Sequence, residues 1–129
     1  MASFKIEYLG NFQCKATHSD TGISFVTDAM NDKAGISPTD LLASSLATCT
    51  ASMIALGAQS KNINVDGMEI NATREMDMEA HKVKKITLEI TLKNKINEDD
   101  LKRLQGIAKT CPVKKALNED VEVDVKFNI

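Results

Sequence analysis

Alternation of apolar and polar positions opens the chain. Phe4, Ile6 and Tyr8 alternate with Lys5 and Glu7, the period of a half-buried strand. Gly10-Asn11 then supplies a hairpin turn. A second strand, Phe12 to His18, places Phe12, Cys14 and Ala16 on one face and Gln13, Lys15 and Thr17 on the other. That points Cys14 into a core, where a small buried thiol is ordinarily inert. Ser19-Asp20-Thr21-Gly22 is turn chemistry, Ile23 to Thr27 is a third strand of the meander, and Ala29 to Ile36 is a polar loop.

The pattern then changes to the period of a helix over Ser37 to Lys61, SPTDLLASSLATCTASMIALGAQSK. Ser37 is placed to cap it, Pro38 suits the first turn, and the Asp40 carboxylate favours the positive helix end. No charged residue occurs from Leu41 to Ala58, so this helix lacks the solvated face of a surface helix and should be buried all round. A run of that length reaches the lower limit of about 17–25 residues for crossing a bilayer. Ser44, Ser45, Thr48, Thr50 and Ser52 are too polar for lipid, however, and Ala43, Ala47, Ala51 and Ala55 suit close packing on protein. A core helix is expected.

Strand periods return afterwards. Met68, Ile70, Ala72 and Arg74 share one face against Glu69, Asn71, Thr73 and Glu75. Arg74 is either a side chain snorkelling to the sheet margin or a fixed guanidinium at the rim of a pocket. Beyond a loop at Met76 to Lys82, the segment Val83 to Leu92 turns Ile86, Leu88, Ile90 and Leu92 to one side, so the two strands should form an antiparallel hairpin. Asn97-Glu98-Asp99-Asp100 is an acid-rich helix start, and Leu101, Leu104, Ile107 and Ala108 form its apolar stripe. Pro112 breaks that pattern but suits the opening of a short helix over Val113 to Leu117, with Thr110 or Cys111 at its N-terminus. Val121, Val123, Val125 and Phe127 give a last strand.

Composition narrows the function classes. The 129 residues suit one domain, 1–129, and a net charge of −2 with interspersed lysines and acids offers no basic stripe for nucleic acid. The first twelve residues lack the apolar run of a secretory signal, so a cytoplasmic location with no membrane attachment is expected. Cys14 and His18 share a strand face about 13 Å apart along the axis, too far to hold one metal. Neither a metal nor a cofactor is expected.

Three cysteines, Cys14, Cys49 and Cys111, are too few for a disulfide scaffold. The helical neighbours of Cys49 are Leu42, Ser45, Leu46, Ser52, Met53 and Leu56, mostly apolar, which raises a thiol pKa. Cys111 instead sits where unpaired backbone N–H groups favour a thiolate, and should be the more acidic of the two. For Cys49 to act as a nucleophile a cation must reach it, and Arg74 is the leading candidate. On the residues alone, two buried structural thiols and a redox pair both stand.

SPTDLLASSLATCT, together with the later TCPV around Cys111, resembles the OsmC/Ohr family of thiol-dependent hydroperoxide reductases, in a less characterised OsmC-like branch. The shared features are a proline and an acidic residue opening a helix, an alanine-rich LL-x-A-x-L run, a mid-helix cysteine, and a second cysteine with valine two positions on. The resemblance covers nearly the whole chain. It implies an α+β fold in an intertwined homodimer, with antiparallel sheets wrapped around two long central helices. It also implies that Cys49 attacks a peroxide as thiolate and becomes a sulfenic acid, and that Cys111 condenses with it to a disulfide. A dithiol reductant, lipoyl groups in some members, then restores the thiols. The substrate would be an organic, possibly fatty-acid, hydroperoxide.

The departures from the family pattern are specific. Characterised members use an arginine of the N-terminal strands, held by a glutamate just after the helix-opening proline. Here no arginine precedes Arg74, Lys15 and Lys33 are the cations of that region, and Thr39 and Asp40 stand at the glutamate's place. A lysine cannot form the bidentate fork that grips carboxylate and peroxide together. Arg74, matched by an arginine in the less characterised branch, is the expected substitute. The alternative is a catalytically weak or inactive OsmC-like dimer that binds a small apolar ligand.

Overall fold

The computed structural model describes residues 1–30 and 35–129. Lys33 and part of the loop before the long helix fall outside the described residues. The chain divides into two compact units, Met1–Leu42 and Ala43–Ile129.

The first unit is a three-stranded antiparallel meander, β1 (Phe4–Gly10), β2 (Gln13–His18) and β3 (Ser24–Asp28). Its register aligns Phe4 with His18, Ile6 with Ala16, Tyr8 with Cys14, and Ala16 with Phe25, so these residues share one face. On that face Phe4, Ile6, Tyr8 and Phe25 are exposed. Phe12, expected in the second strand, belongs instead to the turn: Gly10, Asn11 and Phe12 all have positive φ, 90°, 52° and 63°. A phenylalanine there is strained, because its Cβ crowds the backbone in the left-handed region. Cys14, expected in a core, is half-buried on the partly uncovered face.

At the end of β3 the buried carboxylate of Asp28 accepts from Gln13 Nε2 at 3.0 Å and from the Met30 amide at 3.0 Å. Gly35 lies against Asp28, where an added Cβ would come within 3.0 Å of the aspartate Cβ. The absence of a side chain lets the two segments approach.

α1 (Pro38–Ser60) begins as the residues foretell. The Asp40 amide donates to Ser37 Oγ at 3.1 Å and the Ser37 amide donates to the Asp40 carboxylate at 3.3 Å, a reciprocal capping box. By length and composition α1 meets the requirements of a bilayer span. Its buried residues Ala43, Leu46, Ala47, Thr50, Ile54 and Ala58 nevertheless recur at helical spacing, and Ile54 and Ala58 belong to the protein core. Within one chain α1 is not buried all round: Ser44, Ser45, Thr48, Ser52, Ala55 and Leu56 are exposed. The hydroxyls of Thr48 and Ser52 donate to helix carbonyls one turn back, Ser44 O at 3.0 Å and Thr48 O at 2.9 Å. That leaves the exposed face small and largely self-satisfied.

The second unit continues with β4 (Glu69–Asp77) and β5 (Lys82–Thr91), paired antiparallel with Arg74 opposite Ile86. α2 (Glu98–Ala108), α3 (Pro112–Ala116) and β6 (Glu122–Asn128) follow. The expectation of purely antiparallel sheets is corrected here, because β6 pairs parallel to β5. The two helices between them carry the chain back to the end where β5 began, as a parallel pairing requires. Ile54 and Ala58 of α1, Ile90 and Leu92, and Leu104 and Ala108 of α2 make the core, flanked by Ile70, Val125 and Phe127. Gly57 permits the approach of α1 to α2, since a Cβ there would lie 2.2 Å from Ile107 Cδ1. Asn97 caps α2, its side chain accepting from the Asp100 amide at 2.8 Å.

Candidate functional site

Helix α1 holds Cys49 near its middle, and the break at Pro112 sets Cys111 at the N-cap of α3. Because proline lacks an N–H, the first donors of α3 are the amides of Val113 and Lys114. The Cys49 thiol, these two amides and the Thr50 hydroxyl act as donors that draw the Cys111 thiol pKa down. The Val113 amide acts in the same direction on Cys49. All three cysteines are free thiols, with Cys49 half-buried and Cys111 fully enclosed at 0% exposure.

The proton between the sulfurs has a preferred owner. Burial pushes the Cys111 thiol up, but hydrogen bonds from Cys49, the Lys114 and Val113 amides and the Thr50 hydroxyl outweigh it, and its pKa falls below the ordinary value. Cys49 is pushed up, first by its hydrogen bond to Cys111, then by burial and by charge on Cys111, with the Val113 amide opposing. The two directions make Cys111 the more acidic thiol of the pair. That agrees in direction with the reading of the residues, although the hydrogen bond to Cys111 outranks apolar surroundings as the cause for Cys49.

Arg74 is half-buried on β4 and is not among the largest influences on either thiol. Thr50, which the sequence presents as one more hydroxyl on an apolar helix, is 1% exposed, donates to the Leu46 carbonyl at 2.8 Å, and helps draw the Cys111 pKa down. Its place immediately after Cys49 was the one available hint. A cavity of about 320 Å³ opens beside α3, lined by Gln105, Ala108, Lys109, Lys114, Val123, Val125 and Phe127. Among the described residues no group of three histidine, cysteine or acidic side chains is placed to hold a metal.

A mixed α+β scaffold with two sheets thus carries one free thiol, Cys49, on its long helix and another, Cys111, enclosed at the start of a short one. The model of the family described as OsmC-like protein matches residues 30–126, and the chain belongs to the OsmC family. Among solved structures it is similar to a protein assigned to the osmotic stress induced and detoxification response, from Psychrobacter arcticus 273-4. That similarity has 30% identity and a TM-score of 0.92, covering 99% of this chain and 96% of the other. It is also similar to the organic hydroperoxide resistance protein OhrB of Bacillus subtilis, with 22% identity, a TM-score of 0.73, and 99% and 98% coverage. An OsmC-like protein from Mycoplasma pneumoniae shares the fold at 18% identity and a TM-score of 0.80, with 99% and 94% coverage. No curated protein matches.

Proposed function

We propose that this protein reduces organic hydroperoxides through Cys49 and Cys111. The observation that supports this most is the opposite perturbation of the two thiols by one another, Cys49 raised and Cys111 lowered, with Cys111 enclosed at the start of α3. Cys49, the less enclosed thiol, is the nucleophile: its thiolate forms an S–O bond with the terminal peroxide oxygen as the O–O bond breaks, and the alkoxide leaves to be protonated. The thiolate of Cys111 then forms an S–S bond with the Cys49 sulfenic acid as its S–O bond breaks, releasing hydroxide that becomes water. A dithiol of the lipoyl class returns the pair to thiols by exchange and is itself oxidised to a disulfide. Arg74 is assigned the role of the cation that steadies charge on Cys49 as peroxide is attacked. Family membership and the hydroperoxide resistance named for the Bacillus subtilis relative favour this chemistry over an inert pair of thiols.

The working form is proposed to be a cytoplasmic homodimer in which the two units of each chain act as one domain. The exposed face of Phe4, Ile6, Tyr8 and Phe25 supports this, since a three-stranded sheet needs its apolar face covered to be stable. The small-residue face of α1, rimmed by Leu56, is likewise suited to a second helix.

One equivalent of cumene hydroperoxide added to the reduced protein should give a Cys49–Cys111 linkage within one chain, detected by mass spectrometry. Peroxide consumption should be lost in Cys49→Ser. Consumption that survives that substitution, or no consumption by the native protein, rejects the proposal.

A further inference from the structure

We propose that the cavity between α2, α3 and β6 is a binding site for a small aliphatic monocarboxylate, whose carboxylate is held by Lys109 and Lys114 and whose chain lies on the apolar face of β6. The site belongs wholly to the second unit and its lining does not include Cys49, so the proposal stands apart from the redox reading above.

The cavity holds about 320 Å³, at the lower end of the range of about 300–1,000 Å³ for small-molecule sites. Three elements wall it. α2 and its C-cap give Gln105, Ala108 and Lys109, spaced so that they align along one helix face. β6 gives Val123, Val125 and Phe127, alternate residues that share a strand face. α3 adds Lys114. The apolar wall is anchored, because Ala108 is buried in the core and Val125 and Phe127 pack against that core. A chain laid along it would meet a fixed surface.

The charge of the lining has one sign. Lys109 and Lys114 line the cavity and no carboxylate does. Among the described residues neither ammonium has an ion-pair partner. The acids of β6 alternate to the opposite face, where Glu122 pairs with Lys85 at 3.8 Å and Asp124 with Lys126 at 3.7 Å. An adjoining cavity shares Lys114 and Val123 and adds one cation, Lys115, and one acid, Glu119, so it does not reverse the balance. Lysines also suit the negative end of a helix such as α2. Yet the Gly106 and Ile107 carbonyls there already accept from the Lys109 and Thr110 amides, at 3.2 and 2.9 Å. Lys114 is half-buried, so its ammonium gives up part of its hydration without a counter-charge, and a bound carboxylate would supply one.

Cations beside an apolar wall select an amphipathic anion. A bare anion would leave Val123, Val125 and Phe127 wet, and a neutral hydrocarbon would leave both ammonium groups unmatched.

The test titrates octanoate, below its micelle-forming concentration, into the reduced full-length protein, with calorimetry for affinity and amide NMR for location. Binding should saturate, with the largest shifts at Lys109, Lys114 and the β6 residues from Val123 to Phe127. Lys109→Gln and Lys114→Gln should each weaken it by about tenfold, the loss of one charge-assisted bond. Lys126→Gln, on the opposite face of β6, should leave it unchanged, as should Cys49→Ser. Octanol, which lacks the charge, and acetate, which lacks the chain, should each bind at least about tenfold more weakly than octanoate. Absence of saturable octanoate binding overturns the proposal. So does equal affinity for octanol or for acetate, native affinity in either cavity lysine variant, or an equal loss in Lys126→Gln. Loss of binding in Cys49→Ser, or shifts centred on Cys49, would move the ligand to the sulfur and equally overturn the site. Peroxide consumption plays no part in these readouts, so the proposed function can fail while this site stands, and the reverse.

Discussion

Oxidation of the thiol pair should stabilise the folded chain, but by much less than the size of the loop suggests. A Cys49–Cys111 bond closes a loop of about 60 residues, which in the chain-entropy treatment favours the folded state by about 4 kcal/mol. The same bond removes the Cys111 thiol on which the Val113 and Lys114 amides act as donors. Thr50 keeps its bond to the Leu46 carbonyl, but the two amides lose that acceptor at an enclosed site, costing about 1–1.5 kcal/mol each. The net gain is then about 1–2 kcal/mol. Urea unfolding at one fixed protomer concentration measures it, comparing protein kept reduced with protein treated with one equivalent of cumene hydroperoxide. With a slope of about 2 kcal/mol per molar, the midpoint should rise by roughly 0.5–1 M. An unchanged or lower midpoint would refute the reasoning on loop closure, and a gain near the full 4 kcal/mol would refute the loss at the two amides.

Gly57→Ala sets a gain of about 1 kcal/mol in helix propensity against an overpacking cost of about 1–3 kcal/mol where the new Cβ meets Ile107. Net destabilisation is expected, and a urea double-mutant cycle with Ile107→Val should show favourable coupling; strict additivity would disprove the close approach. Ile6→Lys, which puts a charge on the exposed apolar face of β1, should shift the protein from dimer to monomer in sedimentation, whereas Lys5→Glu on the opposite face should not. Arg74→Ala should slow oxidation of Cys49 by hydroperoxide with the intrachain linkage still forming; an unchanged rate removes Arg74 from the chemistry. Leu104→Ala, at a fully buried core position, should cost about 2–5 kcal/mol in unfolding free energy.

Much of this fold is legible because local chemistry and tertiary packing agree. Ser37, Pro38 and Asp40 mark the start of α1, Asn97 marks α2, and the alternation of Ile86, Leu88 and Ile90 gives β5, all three side chains fully buried. What escapes the sequence is decided between distant segments. The direction of β6 depends on the path through α2 and α3, which no alternation encodes. Phe12 continues the apolar alternation, yet the turn takes it. The exposed face of α1 is as free of charge as a buried one, so its pattern does not distinguish cover by the same chain from cover by another. In the site, the two cysteines stand out by residue type and the helix break at Pro112 predicts the donors around Cys111. Thr50 does not stand out, because its enclosure is decided by segments brought together only by folding.

Under the proposed redox cycle, the complete enclosure of Cys111 also sets a direction for the return to thiols. In the linked state an incoming reductant meets the more accessible Cys49 sulfur first, so Cys111 is the half expelled. Its pKa is drawn down by neighbouring donors, and a sulfur that holds negative charge readily departs quickly. Regeneration thus has a built-in polarity, with attack on the outer sulfur and release of the inner one.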